Sequence, residues 1–228
     1  LCVSRMMRGA EGLPDALAFA AAYVSALILF FQLRVADEFK DNEEDCRYQP
    51  ERPVPRGLVK LKELAALGVL GAAIQLALTL TYQQSLILPL ALTWIYFALM
   101  SVEFFVGDWL KKRPFTYLWT HMLILLFVDV FVTAFDWMKG STFPPSGLWL
   151  FLAVSFCNGV IIEIGRKIKS SNEEKAGVSS YTSAWGERPA VFAWLSAIAA
   201  SGALAIATAA RLGFAAPITA LVIMLTAI

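Results

Sequence analysis

Charged residues are scarce in this chain. They make up 16% of its 228 residues, whereas hydrophobic residues make up 58%, and a soluble domain usually carries about a quarter of charged residues. This shortage argues against a soluble enzyme. Together with a mean hydropathy of +0.64, it predicts a membrane protein surrounded by lipid. The net charge of only +1 gives no reason to expect a nucleic-acid partner.

Cysteine is rare as well. The three cysteines Cys2, Cys46 and Cys157 are odd in number and far apart, which excludes a disulfide framework and matches no zinc-site spacing. We therefore expect three free thiols. No secretory signal peptide is evident at the start of the sequence.

Long apolar runs dominate what remains. A helix that crosses a bilayer needs about 20 largely apolar residues, and seven runs meet or approach that length: Asp15–Leu33, Leu61–Tyr82, Leu86–Val106, Phe115–Phe135, Leu148–Ile162, Pro189–Ala210 and Phe214–Ile228. The pattern predicts an all-α fold, a bundle of transmembrane helices around a central cavity, in one integral-membrane domain over residues 1–228.

The loops between these runs alternate in character. Three are long or strongly charged, namely Arg34–Lys60, Gly107–Pro114 and Glu163–Arg188. With seven spans all three fall on one side, and their lysine and arginine content predicts that this side is cytoplasmic. Arg5 and Arg8 fall on the opposite side, against the rule. We expect an integral protein of the cell's inner (plasma) membrane whose functional site faces the cytoplasm.

The first charged loop holds the strongest chemical signal. Asp37, Asp41 and Asp45 are spaced four apart, so on a helix continuing out of the membrane they would lie along one face. Oxygen ligands of this kind suit Mg²⁺, which commonly bridges carboxylates to substrate phosphates. Arg52 and Arg56 follow and could bind the same phosphates. The combination suggests a site for a lipid diphosphate.

A second acid-rich segment repeats this arrangement at the end of the fifth apolar run. Glu163 is followed by Arg166 and Lys167, and then by Glu173 and Glu174. An ordinary solvated loop is the alternative interpretation, since runs of charge are usually solvated. Its place on the same predicted face as the first segment favours a shared site.

These segments resemble motifs of the UbiA superfamily of intramembrane prenyltransferases. Asp37-Glu38-x-x-Asp41-x-x-x-Asp45 keeps the spacing of the family's Asn-Asp-x-x-Asp-x-x-x-Asp motif, and Arg52-Pro53-Val54-Pro55-Arg56-Gly57 resembles its basic segment. The loop Lys111–Thr116 resembles the family's Lys-Arg-x-Thr segment, and Gly177–Ser180 resembles the turn of its second motif. Lys169 stands about where a central aspartate is expected, which marks a divergent subgroup. The family typically has nine helices, so we expect this chain to lack the first helix and to be truncated at one or both ends.

The resemblance implies Mg²⁺-dependent transfer of a prenyl group from a prenyl diphosphate to an unidentified acceptor in the membrane. Diphosphate would leave as Mg²⁺ and basic side chains neutralise its charge. An aromatic-rich apolar chamber would shield the carbocation. The implied catalytic residues are Asp37, Asp41, Asp45 and Glu163. The metal ligands would be Asp37, Asp41, Asp45, Glu163 and Glu173. The diphosphate would be bound by Arg52, Arg56, Lys112, Arg166 and Lys167.

Two other functions stay open at this point. A membrane terpene cyclase of the same superfamily would ionise the same substrate but let the cation close on itself. A transporter or ion-binding protein could use acidic clusters as a pathway, although acids at helix ends beside arginines favour phosphate handling.

Ionisable and polar residues within the apolar runs are often functional. Glu103 and Asn158 could line the chamber, Asp129 could be a buried partner, and His121 favours a helix–helix contact over a metal.

Overall fold

The computed structural model describes residues 1–170, 172, 174 and 180–226, and all regular structure in those ranges is helical. The long helices are α2 (Ala16–Lys40), α4 (Leu61–Tyr82), α5 (Ile87–Ser101), α8 (Ile124–Trp137), α9 (Leu148–Gly165), α11 (Glu187–Arg211) and α12 (Ala215–Thr226). Shorter helices lie between them: α1 (Cys2–Met7), α3 (Asn42–Tyr48), α6 (Gly107–Lys111), α7 (Pro114–Met122) and α10 (Tyr181–Trp185).

The transmembrane bundle predicted from the sequence is confirmed. Six helical segments in the described part of the chain are long and apolar enough to span a bilayer, with α7 and α8 forming a single span, Pro114–Trp137. The seventh predicted span, Phe214–Ile228, corresponds to the shorter apolar helix α12. Two ends differ from the prediction. Helix α2 continues seven residues beyond Leu33, to Lys40, and α5 ends at Ser101 rather than at Val106.

The helix ends follow local sequence signals. The Asp15 carboxylate accepts a hydrogen bond from the backbone N–H of Leu17 (3.2 Å) and caps α2, since the first N–H groups of a helix have no partner within it. The Glu63 carboxylate accepts one from the backbone N–H of Lys60 (3.0 Å) at the start of α4. Pro114 occupies the first turn of α7, where its missing N–H costs no helical bond. These caps fix where the membrane spans begin.

Small residues and polar side chains join the spans, as is usual where lipid removes the hydrophobic drive between helices. A Cβ atom added at Gly71 of α4 would lie 2.6 Å from Ile28 Cγ2 of α2, so the two backbones approach closely there. Gln32 Nε2 donates to the Gly68 carbonyl (2.9 Å), and Gln75 Nε2 donates to the Ser25 carbonyl (3.0 Å). These contacts hold α2 and α4 in one register.

Two apolar cores fill the bundle. The larger joins α2, α5 and α8 around Leu29, Leu90, Phe131 and Phe135. The smaller joins α7, α9, α10 and α11 through Leu118, Ile164, Tyr181 and Ala190. The smaller core brings the end of α9 to the start of α7, so the second and third charged loops leave the bundle at the same end. We call this the site end.

The opposite end contains the two arginines that break the positive-inside pattern. Arg8 donates two hydrogen bonds to the carboxylate of Asp136 (3.0 and 2.9 Å), and Ser4 Oγ donates a third (2.9 Å). Arg5 Nη1 lies 3.5 Å from the same group. The charges of Arg5 and Arg8 are therefore compensated by a buried carboxylate, which docks α1 against α8.

Candidate active site

The first acidic cluster lies at a break between helices. Helix α2 ends at Lys40 and α3 begins at Asn42, so Asp37, Asp41 and Asp45 do not share one continuous helix as the sequence predicts. The backbone N–H of Asp41 still donates to the Asp37 carbonyl (2.9 Å), and that of Asp45 donates to the Asp41 carbonyl (2.8 Å). The helical spacing of the three carboxylates therefore survives the break.

Arg52 compensates two acids of this cluster. Turns after α3 return the chain so that Arg52 forms an ion pair with buried Asp45 and lies 3.8 Å from Glu38, which is also paired with Arg34. The hydrogen bond to Asp45 raises the pKa of Arg52 above its ordinary value, with burial opposing. Gln49 Nε2 donates to the other oxygen of Asp45 (3.0 Å). The predicted phosphate ligand Arg52 is thus held in the cluster, whereas Arg56 is exposed.

Asp37 and Asp41 are the carboxylates left open. The Asp37 side chain is 41% exposed and its closest cation is Lys40, at 3.7 Å. Burial raises the pKa of the half-buried Asp41 carboxyl; Lys40 opposes this, and the charges of Asp37, Asp45 and Glu44 raise it further. No three carboxylate, imidazole or thiol groups converge on one point in the described ranges. The cluster nevertheless fits Mg²⁺, because that ion commonly uses one or two carboxylates with water and substrate phosphates.

A buried polar network stands directly beside this cluster. Lys40 Nζ donates to the Tyr117 hydroxyl (2.7 Å), which donates to Glu103 Oε1 (3.0 Å). Lys40 Nζ lies 3.5 Å from the same oxygen. His121 Nε2 lies 3.2 Å from Glu103 Oε2, and its Nδ1 lies 2.9 Å from the Tyr117 carbonyl. The imidazole therefore lies between Glu103 and the backbone of its own helix.

Glu103 enters this network from a strained turn of the backbone. Glu103, Phe104 and Phe105 all have positive φ, at 51°, 52° and 60°, a conformation uncommon for residues other than glycine. Phe104 packs edge-on against Tyr96, with ring centroids 5.6 Å apart. Burial would raise the pKa of Glu103, but the hydrogen bond from His121 and the charge of Lys40 outweigh it, so this pKa is lowered. Strained residues of this kind cluster at functional sites.

The second acidic cluster is also compensated by neighbouring cations. The buried Glu163 carboxylate lies 2.8 Å from Lys167 Nζ and 2.5 Å from Arg166. Lys167 Nζ also lies 5.8 Å from the Tyr181 ring centroid. Ser180 and Thr182 donate to Glu174 Oε1 (2.5 and 2.7 Å), and these bonds lower the pKa of Glu174. The predicted ligand Glu173 lies outside the described residues.

Each cluster has a lysine that lies over a tyrosine ring. Lys40 lies over the Tyr117 ring (5.4 Å), as Lys167 does over Tyr181. Burial raises the pKa of Tyr181, the Glu163 charge raises it further, and Tyr117 is near enough to add to the shift. The structure thus places all three charged loops at the site end. The predicted phosphate ligand Lys112 is exposed there, beside Arg113, which stacks over Trp109 at 4.2 Å.

Sequence reasoning missed Lys40 and Tyr117. They are 77 residues apart, and the clearest available signal was the position of Lys40 between two motif aspartates. Of the other polar residues weighed, Asn158 Oδ1 accepts from Ser201 Oγ of α11 (2.8 Å), so it joins two helices. Asp129 interacts with Ser155. His121 contacts Tyr117 one turn earlier on its own helix α7, and Glu103 in the turn that follows α5, so it joins α7 to a neighbouring segment.

A cavity of about 540 Å³ leads away from the first cluster into the bundle. It lies between the halves of α2, α4 and α5 nearest the site end. Its walls are mainly apolar, and they include Val35, Phe39, Val69 and Phe97. Lys40 lies at the end beside the acidic cluster, and Gln32 lies eight residues earlier on α2. The site therefore combines carboxylates, cations and an adjoining apolar space.

Comparison with known proteins agrees with this geometry. The model of the UbiA prenyltransferase family matches residues 1–228, the whole chain. No curated protein and no solved structure matches.

Proposed function

Because the chain belongs to the UbiA prenyltransferase family, we propose that it transfers a prenyl group from a prenyl diphosphate to an acceptor within the membrane, with Mg²⁺ as cofactor. The allylic carbon–oxygen bond breaks, and its electron pair leaves with the diphosphate. An electron pair of the acceptor then forms the new bond to the prenyl carbon, and the acceptor loses a proton. The acidic and basic clusters can support the departure of diphosphate, and the adjoining apolar space can hold the prenyl group during its transfer.

Asp37 and Asp41 are the carboxylates proposed to hold Mg²⁺ first, since they carry no arginine partner in the described part of the chain. When bound, the ion would neutralise negative charge that builds on the leaving diphosphate. Arg52, Arg166 and Lys167 are proposed to turn from their carboxylates to the phosphate oxygens, because phosphate offers arginine the same bidentate geometry as carboxylate. That exchange would free Asp45 and Glu163 to act as ligands, with Glu173 completing the set. Arg56 and Lys112 would add positive charge at the rim.

Lys40 is a further group proposed to contact the diphosphate. Its ammonium is held between Tyr117 and Glu103 at the boundary of the cavity and the acidic cluster. A cation fixed in place before the substrate arrives stabilises developing charge with little reorganisation. Tyr96, Phe97, Phe104 and Phe127 lie nearby and would limit the access of water to the allylic carbon.

The observation that carries the proposal is the position of the two clusters. Both lie at the same end of an apolar bundle, each beside a lysine over a tyrosine ring. Since the loops concerned are rich in lysine and arginine, we propose that this end faces the cytoplasm, in the inner membrane of the cell.

Product analysis tests the proposal. Purified protein is incubated with Mg²⁺ and prenyl diphosphates of several lengths, with and without membrane lipid extract, and the products are identified by mass spectrometry. We expect prenylated lipid only when extract is present. A cyclic hydrocarbon or alcohol from the diphosphate alone, at a rate that extract does not raise, would assign the cyclase function instead. No turnover of any prenyl diphosphate would refute both.

A further inference from the structure

The cavity between α2, α4 and α5 contains one buried hydrogen-bond acceptor with no partner. Gln32 is 6% exposed, and its Nε2 donates to the Gly68 carbonyl, but its Oε1 has no hydrogen-bond partner among the residues that the structure describes. Leaving a buried acceptor unpaired costs free energy. The cost disappears if a bound molecule donates a proton to Oε1.

The other polar side chains of the cavity are already bonded within the protein. Ser101 Oγ donates to the Phe97 carbonyl (2.8 Å), and Trp94 Nε1 donates to Gln75 Oε1 (3.2 Å). Lys40 is bonded to Tyr117. The Lys40 ammonium can only donate, and it is the group proposed to contact the diphosphate. Among the described side chains of the lining, Gln32 Oε1 is therefore the acceptor left without a partner, and an amide oxygen accepts but cannot donate.

The shape of the cavity limits what can reach that atom. Gln32 and Lys40 are separated by eight residues of α2, or about 12 Å along the helix. The walls between them are apolar, and Val69 and Phe39 are exposed on the bundle surface, so the space is accessible from the lipid phase. A purely hydrocarbon chain would fill it but leave Gln32 Oε1 unpaired. A small hydroxylated ring would pair with Gln32 but leave most of the space empty.

We infer that this cavity binds an elongated apolar molecule with a hydroxyl group at its inner end, and that the hydroxyl donates to Gln32 Oε1. On the proposed function, on which this assignment rests, the molecule is the prenyl acceptor. Its hydroxyl anchors it about 12 Å from Lys40, and its other end reaches the acidic cluster. The hydroxyl is therefore an anchor and not the atom that is prenylated.

A matched pair of probes tests the inference without any turnover. 1-Decanol and 1-methoxynonane have the same number of heavy atoms, but only the alcohol can donate a hydrogen bond. Binding of each labelled probe to the purified full chain in detergent is measured by scintillation proximity. We expect the alcohol to bind about 5-fold more tightly, as one added hydrogen bond predicts. Gln32→Leu should bind the two probes equally, and the control Gln84→Leu should keep the preference.

A second variant covers the case in which Gln32→Leu does not fold. Ala72→Phe fills the cavity from α4 and leaves the Gln32–Gly68 bond in place, so it should bind neither probe. Equal binding of the two probes by the unmodified chain would overturn the inference, because a water molecule would then serve Gln32. Undiminished binding by Ala72→Phe would also overturn it.

Competition with the donor separates this inference from the proposed function. Saturating farnesyl diphosphate with Mg²⁺ should leave decanol binding unchanged. Displacement of decanol would assign the cavity to the donor's chain and refute the acceptor assignment. If the alcohol preference is found but no prenyl diphosphate is ever turned over, the hydroxyl-binding site stands and the proposed function fails. If turnover is found without the preference, the proposed function stands and this inference fails.

Discussion

The two ends of the bundle use carboxylates in opposite ways. Asp136, 4% exposed, accepts hydrogen bonds from Ser4 and Arg8, and Arg5 lies beside it. At the site end, Asp37 is 41% exposed, its closest cation is a lysine at 3.7 Å, and Asp41 is surrounded by other acids. A carboxylate with all its partners in place stabilises the fold. One that lacks partners is available to a metal ion or a substrate.

The largest expected effect is on activity at the site end. Asp41→Ala and Glu163→Ala should each lower prenyl diphosphate turnover at least about 100-fold, the scale seen when a key electrostatic group is lost. The measurement is steady-state product formation in matched amounts of folded protein. The control is Glu43→Ala, an exposed acid of the same run, which should retain activity. Near-normal turnover in Asp41→Ala or Glu163→Ala would show that the reaction does not depend on the acidic clusters.

At the opposite end the expected effect is on stability. Asp136→Ala leaves Arg5 and Arg8 without their buried partner, and α1 loses its anchor on α8. We expect a loss of about 2 kcal/mol in the free energy of unfolding, less than for a fully buried pair because both arginines are partly exposed. Denaturant titration in detergent measures this loss, while turnover per folded molecule should stay near normal. The surface ion pair Lys139–Asp15 supplies the control. Asp15→Asn should lower the free energy of unfolding much less than Asp136→Ala does. If the Asp136→Ala protein keeps its full stability but loses activity, Asp136 serves the chemistry and not the fold, which contradicts this assignment.

The network around Lys40 should have an intermediate effect. Glu103→Gln keeps the shape of the side chain but removes the charge that holds Lys40 and Tyr117. Because groups that orient a catalytic residue typically contribute about 10–100-fold, we expect a loss near 10-fold in kcat/KM. The exposed acid Glu44 provides the matched Glu44→Gln control. If Glu103→Gln has normal kinetics, the network only stabilises the fold, as Asp136 does at the opposite end.

The smallest expected effect is the pH dependence of the stability that Glu103 contributes. Its pKa is lowered below the ordinary value of 4.5 by His121 and Lys40, against the opposing effect of burial. A depressed acid pKa adds stability that is present above the unfolded value and is lost as pH falls through the folded value. The difference in unfolding midpoint between the unmodified chain and Glu103→Gln should therefore be larger at about pH 5 than at about pH 3. A difference that grows on acidification would contradict this sign.

The side of the membrane that each end of the bundle faces can be tested independently of activity. Once Cys2, Cys46 and Cys157 are replaced, single cysteines at Glu44 and Lys112 should be protected from a membrane-impermeant reagent added outside intact cells. A cysteine at Gly140 should be labelled. The reason is the lysine and arginine content of the site-end loops. Labelling at Glu44 or Lys112 from outside would place the site on the other face of the membrane.

Much of the fold could be predicted because its signals are local. Apolar runs give the spans, and Asp15, Glu63 and Pro114 mark helix starts. The acidic motif and Arg52 lie within one loop, so their proximity also follows from the sequence. The break at Asp41 could not be predicted, because the spacing of the aspartates fits a continuous helix equally well.

What the sequence could not predict depends on contacts between distant segments. The Lys40–Tyr117–Glu103 network joins three helix ends, and the left-handed turn at Glu103–Phe105 contains no glycine or asparagine that would signal it. The partner of Arg5 and Arg8 is more than 120 residues away, at Asp136. In each case tertiary packing determines which charged residues pair. A single sequence does not show which distant residues come together.

The central claim is that the open carboxylates of the site end support metal-assisted ionisation of a prenyl diphosphate. Release of inorganic diphosphate from farnesyl diphosphate by the purified chain tests it most directly. Lipid extract is present, and the assay is run with Mg²⁺, with EDTA, and with Mg²⁺ restored. We expect release with Mg²⁺, a fall of at least about 100-fold with EDTA, and full recovery on restoration. Equal release in all three conditions, or none in any of them, would contradict it.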